Sequence, residues 1–275
     1  MQVVVTKHHG LGNDFLVLDL AQLESFASLK IDWSEIAKSW CDRTSGVGAD
    51  GLLLLERLDE FKLAMTLFNR DGSRAEMSGN GIRCLAQAAF DAQGLDKHVT
   101  YTVLTDVGER VVDVEPVSHE EVRASVDMGV VAKIEEPKNW ANIGSDPNRP
   151  VMHLSVGNPH TVVGVEDVNV VNLLEIGRKI PQVNLEIIEP GPESHAITMR
   201  VHERGAGITE ACGTGACASA WAASDWGLVP ASAREILVHQ PGGDSSVRLN
   251  HPKAGHVTLV GPANFSSRHV LEIVL

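Results

Sequence analysis

Short apolar runs recur along the whole chain, and they predict a protein built mainly from β-strands. The runs are rich in Val, Ile and Thr and are separated by Gly, Pro, Asn or Asp, which is typical of strands joined by turns. The predicted strands are 3–6, 15–19, 51–56, 63–68, 99–104, 109–114, 122–127, 151–156, 161–165, 182–188, 196–202, 236–239, 246–249, 256–260 and 270–274.

Helical patterns are fewer. Residues 33–42 place Ile36, Ala37 and Trp40 at the spacing of an amphipathic helix. Residues 79–90 and 213–226 consist largely of small residues with little charge, and a helix without a polar face is usually buried. The pattern therefore predicts an α/β (mixed α+β) protein with two halves, each a curved sheet around a central helix.

The two small-residue helices begin inside near-copies of one motif, EMSGNG at 76–81 and EACGTG at 210–215. The same offset along the chain relates Arg70 to Arg204. This repeat predicts two similar halves, each directing one reactive position at a shared site. That position is Ser78 in the first copy and Cys212 in the second. We expect the halves to be residues 1–118, joined by 263–275, and residues 119–262.

A glycine-rich turn at the start of a helix offers unpaired N–H groups and the positive end of the helix dipole, and it can bind a carboxylate. It can also lower the pKa of a thiol from about 8.5 toward neutrality, which makes Cys212 a candidate thiolate base. Ser78 alone is typical of a helix N-cap. Two acid/base groups on opposite faces of one carbon suit a racemase, provided that donors stabilise the charge that develops.

Composition narrows the range of partners. The formal net charge is −13 and the pI is near 5.3, which disfavours nucleic acid or an anionic membrane as a partner. No apolar run approaches the roughly 20 residues of a membrane span, and the first residues lack the apolar core of a signal peptide, so we expect a cytoplasmic protein. The four cysteines lack zinc-ligand spacing and are expected to be free thiols, and no metal site is predicted.

Together the motifs resemble the diaminopimelate epimerase family, whose members do not use pyridoxal phosphate. The matching segments are 9–15 (HGLGNDF), 46–51 (GVGADG), 68–73 (FNRDGS), 78–84 (SGNGIRC), 157–160 (GNPH), 183–184 (VN), 203–207 (ERGAG), 211–218 (ACGTGACA) and 241–243 (PGG). Each is weak alone, but the set keeps the family's order over nearly the whole chain. The resemblance implies two pseudo-symmetric α/β halves with the active site in the cleft between them, a homodimer, and no cofactor. The implied reaction interconverts LL- and meso-2,6-diaminopimelate, a small-molecule substrate, in lysine and peptidoglycan-precursor synthesis.

The resemblance also implies roles for individual residues. Cys212 corresponds to one catalytic base, and Ser78 lies at the position of the other, where the family normally has cysteine. The helix-start donors that would hold the reacting carboxylate are Gly79, Asn80, Gly213 and Thr214. The implied contacts to the rest of the substrate are Asn13, Asn69, Asn158, Asn184, Glu203 and Arg204. His160 and Glu203 are implied to tune the catalytic pair.

Ser78 is the departure from the family pattern. A hydroxyl is a poor base at neutral pH without an adjacent activator, so we expect reduced turnover. Cys84 is not expected to substitute, since it lies well inside the helix. Three alternatives stay open: a cofactor-independent lyase of the same fold, a racemase for a different amino acid, and a protein that binds an amino acid without converting it.

Overall fold

A computed structural model describes residues 1–26, 30–144 and 146–273. The strands are β1 (Gln2–Gly10), β2 (Asn13–Asp19), β3 (Gly51–Arg57), β4 (Lys62–Asn69), β5 (Arg74–Ala75), β6 (Val99–Thr105), β7 (Gly108–Pro116), β8 (Glu121–Val130), β9 (Ala132–Lys133), β10 (Val151–Ser155), β11 (Pro159–Gly164), β12 (Asn184–Pro190), β13 (Ala196–Glu203), β14 (Gly207–Thr209), β15 (Glu235–Gln240), β16 (Gly243–Leu249) and β17 (His256–Glu272). The helices are α1 (Trp33–Cys41), α2 (Gly79–Ala92), α3 (Leu173–Gly177) and α4 (Gly213–Asp225), with short 3-10 helices at Leu20–Phe26 and Trp140–Ile143.

The chain forms two compact units, one of Met1–Val126 with Gly261–Leu275 and the other of Asp127–Val260. Each unit buries one helix, as the sequence pattern predicts: residues 79–90 of α2 are all buried, the polar Asn80, Arg83 and Gln87 included, and most of α4 is buried with small and apolar side chains. No described helix has both the length and the apolar character needed to cross a membrane.

In the first unit the paired strands form a closed ring. β1 pairs antiparallel with β2, β2 parallel with β3, β3 antiparallel with β4, and β4 parallel with β6. β6 and β7, then β7 and β8, pair antiparallel, and β17 closes the ring by pairing with both β8 and β1. Helix α2 contacts β1, β2, β3, β4, β6 and β7, so the ring surrounds it.

The second unit repeats this order of pairings. β10–β11 is antiparallel, β11–β12 parallel, β12–β13 antiparallel and β13–β15 parallel, followed by antiparallel β15–β16 and β16–β17. Helix α4 contacts β10, β11, β12, β13, β15 and β16, which are the counterparts of the strands around α2. The predicted mixed α/β fold of two pseudo-symmetric halves, each a sheet around a central helix, is confirmed.

The boundaries differ from those expected from the sequence. The chain passes from one unit to the other at Val126/Asp127 and again at Val260/Gly261, inside β8 and β17, whereas we expected boundaries at 118/119 and 262/263. The expected boundary at 118/119 falls in the turn of the β7–β8 hairpin, in which the N–H groups of Val117 and Ser118 both donate to the carbonyl of Glu121.

Several elements were predicted incorrectly or missed. The separate strands predicted at 256–260 and 270–274 are one strand, β17, whose polar middle section alternates between more and less exposed positions; Val274 lies outside the described residues. The elements β5, β9, β14 and α3 were missed because they are too short to show a period.

Candidate active site

Cys212 lies at the start of α4, where it is the N-cap in an extended conformation, with φ −133° and ψ 113°. This conformation lets its side chain fold back over the first turn of the helix, so Sγ accepts a hydrogen bond from the Gly215 N–H at 3.4 Å. The backbone N–H of Cys212 donates to Gln240 Oε1 at 2.9 Å, and the residue is 5% exposed. The sulfur is therefore held at the N-terminal end of α4, next to the N–H groups of its first turn.

Gly213 and Thr214 are the first two residues of α4, and the N–H groups at these positions have no acceptor within the helix. They lie at the positive end of the helix dipole, which favours an anion. The Thr214 hydroxyl is 3.5 Å from Cys212 Sγ and is a second polar contact of the sulfur. The start of α4 thus combines anion-binding donors with a thiol.

The protonation of Cys212 differs from the sequence-based expectation. Burial raises its pKa well above the usual thiol value, and the negative charges of Glu203 and Glu186 raise it further. The Thr214 hydroxyl and the Gly215 N–H act in the opposite direction but are outweighed. The prediction of a lowered pKa is therefore wrong, because loss of water and two nearby carboxylates outweigh the helix start.

A buried chain of hydrogen bonds runs through His160. Its Nδ1 is 2.7 Å from Glu186 Oε1, and its Nε2 is 2.8 Å from Asn158 Oδ1. The side chains of His160 and Glu186 are both fully buried. Glu186 was not predicted; the signal was a charged residue flanked by apolar residues in β12, two positions after Asn184 and hence on the same face of the strand.

Glu203 and Asn184 have defined hydrogen-bond partners. Glu203 Oε1 accepts from the Thr209 hydroxyl at 2.5 Å, and burial raises the pKa of the Glu203 carboxyl, although a hydrogen bond from the Cys212 thiol partly offsets this rise. Asn184 Oδ1 accepts from the backbone N–H of Arg204 at 2.8 Å, so the Asn184 amide nitrogen is free to donate elsewhere. The Arg204 side chain is exposed and forms no ion pair within the described ranges.

Ser78 has the same position on α2 that Cys212 has on α4. It is the N-cap, with φ −141° and ψ 123°, and its Oγ accepts from the Gly81 N–H at 3.0 Å. The predicted role as an N-cap is confirmed. Gly79 and Asn80 begin the helix, so their N–H groups also lack intrahelical acceptors. The Asn80 side chain is buried and accepts from Arg83 Nη2 at 2.7 Å.

The side-chain amides of Asn13 and Asn69, both in the first unit, are oriented in the same way. Asn13 donates through Nδ2 to Asp50 Oδ2 at 2.7 Å. Asn69 donates through Nδ2 to Ser73 Oγ at 3.0 Å, while the Ser73 hydroxyl itself donates to Asp71 at 2.6 Å. Each asparagine therefore uses its nitrogen within the protein and keeps its carbonyl oxygen for another donor.

The two units differ beside their helix starts. In the parallel pairing of β11 with β12, His160 is opposite Asn184 and Val162 is opposite Glu186; in the pairing of β2 with β3, Phe15 is opposite Gly51 and Val17 is opposite Leu53. Phe15 and Leu53 thus take the positions of His160 and Glu186. A Cβ placed at Gly81 would meet Leu53 Cδ2 at 3.5 Å, whereas one at Gly215 would meet Glu186 Oε1 at 2.7 Å.

Cys84 cannot replace a missing thiol at position 78. It is fully buried inside α2, and burial raises its pKa to about 12. Within the described residues no group of three or more His, Cys, Asp or Glu side chains is arranged to hold a metal ion.

Comparison with known proteins identifies the family of the chain. The family model for diaminopimelate epimerase matches residues 5–134 and 152–266. The chain belongs to the diaminopimelate epimerase family. It is 38% identical to diaminopimelate epimerase 1 of Nostoc sp., covering 96% of this chain and 98% of that protein, and 34% identical to the diaminopimelate epimerase of Bacteroides thetaiotaomicron, covering 95% of each.

Solved structures share the fold at much lower identity. A phenazine biosynthesis protein of the PhzF family from Bacillus anthracis is 15% identical with a TM-score of 0.75, covering 99% of this chain and all of that one. A hydroxyproline epimerase from Agrobacterium vitis with bound trans-4-hydroxy-L-proline is 14% identical with a TM-score of 0.68, covering 98% of this chain and 91% of that one. At such identities the likeness supports the fold alone.

Proposed function

We propose that the chain epimerises LL-2,6-diaminopimelate to meso-2,6-diaminopimelate by proton transfer at Cα, without a cofactor. The observation that carries this proposal is the duplicated N-cap: Ser78 and Cys212 share one backbone conformation, and each is followed by two N–H groups that have no acceptor within the helix. The curated relatives named diaminopimelate epimerase support this choice of substrate.

The helix starts supply the anion site of the proposed reaction. The N–H groups of Gly79, Asn80, Gly213 and Thr214 bind the carboxylate next to the reacting carbon. When Cα loses its proton, negative charge spreads onto that carboxylate, and donors already in place stabilise it. Because the Cα–H bond is very weakly acidic, this stabilisation is the main requirement for the reaction.

Cys212 exchanges the proton on one face of Cα. Burial and the charges of Glu203 and Glu186 raise the pKa of Cys212, so its thiol keeps its proton. A substrate ammonium group near Glu203 and Glu186 offsets their charge and lowers the pKa of Cys212. Glu203, which accepts a hydrogen bond from the thiol, takes the thiol proton, and the resulting thiolate then accepts the proton from Cα.

The remaining polar groups suit the far end of a diamino dicarboxylate. Asn13 and Asn69 present carbonyl oxygens, which accept from an ammonium group. Asn184 presents an amide nitrogen and Arg204 an exposed guanidinium, which donate to a carboxylate. The far end of such a substrate carries both an ammonium group and a carboxylate. The presence of both acceptors and donors among these residues therefore supports such a substrate. Asn158 is proposed as a further contact.

Position 78 limits turnover in this proposal. The Ser78 hydroxyl has no neighbouring base among its described contacts, so it can cap the helix but is a weak partner for the return of a proton. We therefore expect proton exchange at Cα through Cys212 with little inversion. Changing Ser78→Cys restores a second thiol and should raise epimerisation by about 10²–10⁴-fold, the usual contribution of a general acid or base.

The test follows Cα deuterium incorporation and stereochemistry in heavy water with both diaminopimelate isomers. It compares the unaltered chain with Ser78→Cys and, as a control without a reactive group, Ser78→Ala. A folded Ser78→Cys variant without gain in inversion contradicts the proposal. Formation of an elimination product would indicate a lyase, exchange only with other amino acids a different racemase, and binding without exchange a non-catalytic binder.

We also propose that the chain acts in the cytoplasm as a homodimer, without nucleic acid or membrane partners. The net charge of −13 supports the absence of polyanionic partners, and the dimer follows from the family resemblance. Light scattering on the purified chain tests the dimer: a mass near 29.6 kDa, that of a single chain, would contradict it.

A further inference from the structure

Glu186 lies beside Gly215 in the first turn of α4, and in the reaction described above it acts only through its charge on Cys212. Its Oε1 contacts His160 Nδ1 at 2.7 Å and lies 2.7 Å from the point where a Cβ on Gly215 would stand. Its Oε2 is buried and has no hydrogen-bond partner within the described part of the chain. A buried carboxyl group with one unpaired oxygen is costly, so its arrangement with His160 needs an explanation.

The hydrogen bonds define how many protons the pair holds. His160 Nε2 lies 2.8 Å from Asn158 Oδ1, an acceptor, so Nε2 must carry a hydrogen. A second proton must lie between Nδ1 and Glu186 Oε1, since two bare acceptors would repel each other at 2.7 Å. Whichever of these atoms binds this second proton, the pair holds two protons and has no net charge.

The opposite orientation of the Asn158 amide, with its nitrogen toward His160, is unfavourable. If the Asn158 amide were turned to donate to Nε2, the pair would hold one proton and a net negative charge. That charge would be fully buried, with an unpaired oxygen, close to Glu203. Burial of an uncompensated charge is strongly disfavoured, so neutrality keeps the proton on Nε2 and keeps Asn158 turned with its oxygen inward.

We propose that Glu186 is a positioning residue: through His160 it fixes the Asn158 amide with its nitrogen outward, as a donor to a carboxylate of the substrate. Asn158 is half-exposed at the end of the β10–β11 hairpin, so its outward side is accessible to a ligand. The first unit lacks the corresponding hydrogen-bond chain, because Phe15 and Leu53 occupy the positions of His160 and Glu186. The ligand in this proposal rests on the proposed function, whereas the hydrogen-bond chain does not.

The first experiment measures binding of meso-diaminopimelate by calorimetry, which needs no turnover. Glu186→Leu copies Leu53 of the first unit and leaves His160 Nδ1 without a partner, so the Asn158 amide is no longer fixed. We expect about 10- to 100-fold weaker binding, the loss of one hydrogen bond to a charged group. The matched control is Glu189→Gln on the same strand, since Glu189 accepts from the Val168 N–H and should leave the affinity unchanged.

The second experiment measures the same binding with Glu186→Gln, the conservative counterpart of Glu186→Leu. The glutamine amide can donate to Nδ1 and keep Nε2–H, so binding at neutral pH should remain near that of the unaltered chain. Weaker binding by Glu186→Leu together with retained binding by Glu186→Gln assigns the effect to the hydrogen bond at Nδ1 rather than to the charge of Glu186. Equal losses in the two variants would contradict the proposal.

A third measurement is independent of the ligand and of these substitutions. The ¹⁵N spectrum of the histidine rings, with His160→Gln to assign the signal, should show Nε2 of His160 carrying a proton at neutral pH. A bare Nε2 overturns the proposal, as does a folded Glu186→Leu variant with unchanged affinity. If the unaltered chain binds no diaminopimelate, the proposed function and the ligand of Asn158 fail together, whereas the ¹⁵N result still decides the hydrogen-bond chain.

Discussion

At Cys212 two electrostatic effects oppose each other on one sulfur atom. The start of α4 favours the thiolate through the Gly215 N–H, while burial and the carboxylates of Glu203 and Glu186 favour the neutral thiol. The second effect is larger, so the pKa of Cys212 lies above that of an ordinary thiol. Reactivity of this residue should then depend on what neutralises its neighbours.

We expect alkylation of Cys212 by iodoacetamide to be slow at neutral pH and to rise about tenfold per pH unit toward alkaline pH, because only the thiolate reacts. Glu203→Gln removes one negative charge, lowers the pKa of Cys212 and should speed labelling at neutral pH. Peptide mass mapping measures the rates. Cys84, fully buried with a pKa of about 12, is the internal control and should stay unlabelled. Labelling of Cys212 at the rate of a free cysteine at neutral pH would contradict this account.

The glycine-rich motifs made some site residues predictable. Ser78 and Cys212 stand out in the sequence because a cap residue followed by glycines has a local signature. Glu186 and Gln240 do not, since their contacts with His160 and Cys212 arise from the pairing of strands that are distant along the chain. Such contacts depend on sheet register, which residue spacing does not give.

At the scale of elements, helices α2 and α4 begin in the same way but have different surroundings. Both have glycine at the third helical position, where its N–H bonds to the cap residue. Beside Gly81 the nearby strand offers the flexible end of Leu53; beside Gly215 it offers a carboxylate held by His160. The same substitution should thus have different effects in the two helices.

We expect Gly81→Ala to change the free energy of unfolding little, since the better helix propensity of alanine, up to about 1 kcal/mol, offsets a tight contact with Ser78 Cβ at 3.1 Å. Gly215→Ala should destabilise by about 1–3 kcal/mol, because its Cβ displaces Glu186 Oε1 and breaks the bond to His160. Urea denaturation of both variants measures the difference. Equal effects would show that Glu186 moves aside freely.

The sequence predicted the long elements better than the short or continuous ones. Helices α1, α2 and α4 were located because small residues or apolar spacing mark them over many positions. Strand β17 was divided in two because its polar stretch resembles a turn, yet that stretch pairs with β1. Whether a polar stretch belongs to a strand depends on its backbone hydrogen bonds to a neighbouring strand, and the hydrophobic pattern does not reveal these bonds.

At the scale of the whole molecule, one order of strand pairings is used twice, and strand β17 takes part in both copies. β17 pairs with β16 through residues up to Val260 and with β1 through Asn264–Glu272. The first unit therefore depends on the C-terminal segment, while the second, Asp127–Val260, is continuous along the chain. The repeated motif predicted the two halves, but only the pairing of β17 with β1 reveals this dependence.

A chain truncated after Val260 should keep the second unit folded and lose the first. Truncation removes the strand that lies between β1 and β8, and it leaves the edges of both exposed. It also removes Pro262, whose carbonyl accepts from the buried Arg83 at 3.2 Å, and Ile273, whose carbonyl accepts from the N-terminal amine at 2.9 Å. These losses fall on the first unit alone.

Hydrogen exchange followed by mass spectrometry measures this outcome. Amides of β12 and β13 should stay protected in the truncated chain, whereas those of β1 and β2 should exchange rapidly. The full-length chain is the reference, and an isolated 127–260 segment is the matched control, which should show the same protection in β12 and β13. Persistent protection of β1 would mean that the remaining strands close the ring without β17. Loss of protection in β12 as well would mean that the second unit does not fold independently of the first.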